Sequence, residues 1–146
     1  MVRKIVAVTA FGLLTLVMSS QGFAQADKRQ ALMKDQGAAA KAIKGAVEAK
    51  DYATIETKAK DLMGSSEKIG GLFPAGSDTG KTKALPAIWE KPDDFAKNAK
   101  ALGKASGELA SAAKAGDDAA VTTKVKAVGD ACAACHKAFR AEKYSE

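Results

Sequence analysis

From residue 28 onward, apolar residues recur three and four apart in four blocks, parted by two short breaks and one long loop. That period lays one apolar stripe along a helix and suits packing in a bundle. The first block, about 28–49, carries Met33, Gln36, Ala40, Ile43 and Val47 on its stripe. The second, about 52–69, carries Ile55, Ala59, Leu62, Ser66 and Ile69. The third, about 92–115, has Phe95, Ala99, Leu102, Ser106, Leu109 and Ala113. The fourth, about 118–143, has Val121, Val125, Val128, Cys132, Cys135 and Phe139.

The residues between the blocks fit this division. Asp51 and Asp117 are candidate N-caps, Pro92 suits a first helical position, and Gly116 can end the third helix. Asp93 and Asp94 add negative charge to the first turn of the third helix. A loop over 70–91, with Gly70-Gly71, Pro74, Gly76, Gly80 and Pro86, is too broken for a helix. The tight connections at Lys50-Asp51 and Gly116-Asp117 make antiparallel neighbours of helices one and two, and of three and four. The expected fold is all-α, an antiparallel up-down-up-down four-helix bundle. Many stripe positions are alanine, which buries little apolar area. A large apolar group between the helices would supply the missing contact.

Residues 1–26 read as a cleaved signal peptide and 27–146 as the bundle domain. Arg3 and Lys4 precede an apolar run from Ile5 to Met18, and Ala24-Gln25-Ala26 fits the small-residue cleavage rule. The run is short for a bilayer span, which needs about 20 residues. The expectation is a soluble periplasmic protein without membrane insertion of the mature chain. That chain has 21 basic and 17 acidic residues, a formal charge of +4. Lysines spread along helices are a solvated face, and few aromatics are available to stack on bases. Nucleic acid is not expected as a partner.

The only two cysteines are Cys132 and Cys135. A disulfide between them would close a loop too short to stabilise much. With His136 they form Cys132-Ala133-Ala134-Cys135-His136, the C-x-x-C-H signature of covalent haem attachment. On a helix, positions three and four apart share a face. One turn therefore presents two thiols to the haem vinyl groups and an imidazole to the iron. A thioredoxin-like site would place C-x-x-C near a helix N-terminus in an α/β setting, unlike this one. A structural zinc site would need four ligands, a catalytic one three, and two thiolates so close on one helix make an awkward set. One covalent haem c is the expected cofactor.

His136 is the only histidine, so a second histidine ligand within the chain is excluded. The sixth position falls to Met33, Met63, a less usual ligand such as lysine, or none. Methionines on apolar faces more commonly fill a core, and Met63 is expected to do so.

The C-terminal C-A-A-C-H-K-A-F-R resembles the class II c-type cytochromes, the cytochrome c prime family. So do Leu85-Pro86-Ala87-Ile88-Trp89 and the opening Arg29-Gln30-Ala31-Leu32-Met33. Members are themselves known four-helix haem bundles. The resemblance places Met33 on the distal side of the haem, where a low-spin branch has a methionine ligand. Met/His ligation also raises the potential. Gly37, one turn on, would relieve crowding against the haem face. The resemblance puts Arg29 and Gln30 near the haem propionates and Arg140 near the proximal imidazole. Trp89 is expected to anchor the long loop.

The first expectation is therefore a periplasmic one-electron carrier with His136 and Met33 as axial ligands, serving redox partner proteins. Lys124, Lys126, Lys137, Arg140 and Lys143 would form a basic rim for an acidic partner. The alternative is a five-coordinate, high-spin cytochrome c prime that binds nitric oxide or carbon monoxide. No substrate-turnover site stands out, so an enzyme is not expected. The resemblance also leaves a homodimer open to the chain.

Overall fold

The computed structural model describes residues 16–143. Four long helices form the bundle: α1 (Leu16–Glu48), α2 (Tyr52–Ser66), α4 (Pro92–Ala115) and α5 (Asp118–Phe139), with a single-turn α3 (Ala87–Glu90) inside the long loop. Residues 1–15 of the expected leader lie outside the described residues. The expected cleavage point after Ala26 falls within α1.

Local caps set most of the limits. The Asp51 carboxylate accepts from Thr54 N at 3.0 Å, and that of Asp117 accepts from Ala120 N at 2.9 Å. Gly116 adopts the left-handed conformation that ends α4, with φ +68°. Pro92 occupies the first turn of α4. Three limits differ from expectation: α1 already begins at Leu16, ahead of the expected start near residue 28. Helix α2 stops at Ser66, before a 3₁₀ turn over Gly70–Leu72. Helix α5 stops at Phe139 because Arg140 turns extended and pairs with Ala84 in an antiparallel bridge. Leu85 N donates to Phe139 O at 3.0 Å and Ala141 N to Lys83 O at 2.8 Å.

The expected stripes face inward. Ile43, Ile55, Leu62, Phe95, Leu102, Leu109, Val121 and Val128 are buried in one apolar core. Met63 departs from expectation: it is exposed, because it sits over the α2–α4 seam rather than inside the bundle. That seam is close because α4 offers glycines. A Cβ at Gly103 would come within 2.6 Å of Ser66 Oγ, and one at Gly107 within 3.2 Å of Met63 Sδ.

Helix α1 packs on α2, α2 on α4, and α4 on α5, whereas α1 and α5 meet only sparingly. The alanine-rich stripes leave space between them. No helix among the described residues is long and apolar enough to cross a membrane.

Candidate haem-binding site

The space between α1 and α5 is a cavity of about 690 Å³, within the size range of small-molecule and cofactor sites. Helix α1 contributes Met33, Gly37 and Ala40 to its wall; α4 contributes Phe95, Ala99 and Leu102. Helix α5 brings Cys132, Cys135 and His136 to the same space, as their three- and four-residue spacing requires. Gly37 and Ala40 are exposed, and both line this cavity. A Cβ added at Gly37 meets no other atom within 4 Å, so open space adjoins that backbone.

The donor set suits a haem. Both cysteines are half-buried, and burial pushes each thiol pKa up, with Cys132 adding to the rise at Cys135. Burial, then the charge of Arg140, lowers the pKa of His136. The neutral imidazole is the form that binds a metal. The cations Arg29, Lys34, Lys83 and Arg140 line the cavity, and no acidic residue does so among the described residues. An apolar body with anionic substituents matches that lining, and haem with its two carboxylates is such a group.

The resemblance-based positions divide. Gln30 is exposed at the cavity, whereas Arg29 is buried. The guanidinium of Arg29 donates from Nε to Leu72 O at 2.6 Å and from Nη1 to Ser77 O at 2.9 Å. Trp89 anchors the loop, its Nε1–H shared between the carbonyls of Phe73 at 3.2 Å and Pro74 at 3.0 Å. The expected basic rim is partly neutralised: Lys124 pairs with Glu108 at 2.7 Å and Lys126 with Asp130 at 2.6 Å. Met63 is not among the lining residues.

Phe73 and the strap over 82–84 also line the cavity, and neither was visible in the sequence pattern. Phe139 does too, visible in the sequence only as a stripe residue. Phe73 is brought in by a loop, and the strap by pairing with the chain beyond α5.

The family model for cytochrome c′ matches residues 24–140. The chain belongs to the cytochrome c′ family. It is 38% identical over 141 residues to cytochrome c′ of Rhodopseudomonas palustris, covering 88% of this chain and 92% of that one. A solved cytochrome c′ with an unusual ligand-controlled dimer dissociation superimposes with a TM-score of 0.77 at 29% identity, covering 83% of this chain and 97% of that one. The nitric oxide complex of a cytochrome c prime variant from Alcaligenes xylosoxidans gives 0.75 at 26% identity, covering 84% and 97%. Like the rest of the family, this chain carries one covalently bound haem c.

Membership overturns the first expectation, an electron carrier ligated by Met33 and His136, in favour of the alternative cytochrome c′ reading. The physical reason is that a methionine at that position has two uses, and residue type does not choose between them. Here Met33 is half-buried and packs against the apolar core as part of the cavity wall, the commoner role for methionine.

Proposed function

We propose that this chain is a five-coordinate, high-spin cytochrome c′ that binds nitric oxide or carbon monoxide. Cys132 and Cys135 hold the haem through thioethers, and His136 is its single protein ligand. When bound, the haem supplies an iron with one coordination position open to a diatomic gas. The observation that carries this reading is the asymmetry of the cavity. One wall presents His136, while Met33, Ala40, Phe95 and Ala99 give an apolar boundary. Such a wall admits a small neutral gas and offers little to a polar or charged ligand. The nitric oxide complex of the Alcaligenes xylosoxidans variant supports the same choice. The role is binding rather than turnover of a substrate, after export to the periplasm.

Visible absorption spectra of both oxidation states test it. Broad high-spin bands and a shift on adding carbon monoxide to the reduced protein are expected. A sharp low-spin α band on reduction would sink the five-coordinate assignment.

A homodimer is the assembly we favour, supported by the relative whose dimer dissociates under ligand control. Light scattering should give twice the chain mass, and a monomer at all accessible concentrations would refute it.

A further inference from the structure

Arg29 lies one turn before Met33 on α1 and is only 5% exposed. All three nitrogens of its guanidinium group donate into the segment 72–77: Nε to Leu72 O, Nη1 to Ser77 O and Nη2 to Ser77 Oγ. The guanidinium carbon stands 4.3 Å from the ring centroid of Phe73 and 5.6 Å from that of Trp89. Trp89 completes the assembly by donating to the carbonyls of Phe73 and Pro74. From there an edge-to-face series runs inward, with Phe73 to Phe95 at 4.9 Å and Phe95 to Phe139 at 5.2 Å. Those three rings all line the cavity.

The arrangement uses what distinguishes arginine from lysine. A planar fork can satisfy several acceptors at once while stacking its face on aromatic rings. Two of the acceptors are backbone carbonyls of a segment with no strand or long helix of its own. Without Arg29, those carbonyls lose charge-assisted hydrogen bonds and Phe73 loses the cation over its face.

We propose that Arg29 is a positioning residue for the cavity: it latches segment 72–77 to α1 so that Phe73 becomes a fixed wall. This latch, rather than a grip on the haem carboxylates, is its main task. The proposal rests on reading the cavity as the seat of the haem. Lys34 and Arg140, which also line it, supply positive charge from outside that segment.

The test uses the full haem-loaded chain and two readouts. Hydrogen exchange follows the amides of 72–77, and fluorescence follows Trp89, the only tryptophan. A nearby haem quenches indole emission by energy transfer, so release of the loop raises it. In Arg29→Gln, exchange across 72–77 should quicken roughly tenfold or more, as loss of a charged hydrogen bond implies, and Trp89 emission should rise. Arg29→Lys should behave like Arg29→Gln, because one ammonium cannot span the three acceptors. Ser77→Ala leaves Arg29 in place and removes one acceptor; it should quicken the same amides by a smaller factor, and it decides the matter if the Arg29 variants do not fold. Unchanged exchange, or full rescue by lysine, would overturn the latch, since rescue would mean that positive charge alone is what the site requires. Loss of haem from the denatured wild-type chain would instead overturn the haem reading, and is read separately on a denaturing gel.

Discussion

Leu85 gives its backbone N–H to the carbonyl of Phe139 at 3.0 Å, three residues beyond His136. Ala141 returns the contact, donating to Lys83 O at 2.8 Å, and the two bonds flank the Ala84–Arg140 bridge. The long loop thus ends the helix that carries the haem motif. It also places Thr82, Lys83 and Ala84 on the cavity beside His136.

Ala141→Pro removes one of these two bonds without disturbing the residue before it. Arg140 already has φ −126° and ψ 126°, the region favoured before proline. The expected cost is about 1 kcal/mol, seen as a lower urea midpoint with faster exchange at the Leu85 amide and the haem still attached. An unchanged midpoint and unchanged Leu85 exchange would mean that the bridge holds nothing.

Where determinants are local, the fold was legible in the sequence. Asp51, Pro92, Gly116 and Asp117 act within a few residues, and each sits at the expected helix end. The haem motif was legible for the same reason, since Cys132, Cys135 and His136 share one stretch of α5. The end of α5 was not, because a strap from the long loop sets it. The loop partners of Arg29 were hidden on similar grounds, since its acceptors lie 43 and 48 residues away. Met33 could be placed on the right wall, but its role depends on the iron's surroundings rather than on helical spacing.

The α2–α4 seam gives a second prediction. Gly103→Ala would set a methyl group 2.6 Å from Ser66 Oγ. That hydroxyl is held by its bond to Met63 O at 2.7 Å in a buried position. The variant should lose about 1–2 kcal/mol through overpacking. Adding Ser66→Ala removes the clashing atom, and the double variant should recover the loss, since alanine is also the better helix former. Thermal unfolding of the two single variants and the double checks this. A double variant as unstable as Gly103→Ala would show that the backbone, not the hydroxyl, is in the way.

At the far end of the bundle, Asp118 joins the two tight connections. Its carboxylate accepts from Lys50 and, at 2.6 Å, from the Tyr52 hydroxyl. The bond from Lys50, then that from Tyr52, holds the Asp118 pKa below its ordinary value. A carboxylate lowered in this way stabilises the fold above its unfolded pKa, about 4, and loses that contribution as pH falls through the folded value. Urea midpoints of wild type and Asp118→Asn should therefore differ at pH 7 and converge as the pH is lowered below that of an ordinary aspartate. A difference that persists undiminished in acid would mean that the ion pair is not its source.

Met33 is where the two haem readings part. If the iron takes only His136 from the protein, Met33 is a piece of apolar wall, and its sulfur is dispensable. Met33→Leu should then leave the high-spin spectra of both oxidation states unchanged, because leucine fills similar volume without a ligating atom. Met33→Ala should widen the cavity beside Gly37 and speed carbon monoxide binding to the reduced protein, again without changing spin state. Stopped-flow mixing and the visible spectra read both effects. A wild-type low-spin spectrum that turns high-spin in Met33→Leu would restore the thioether to the iron.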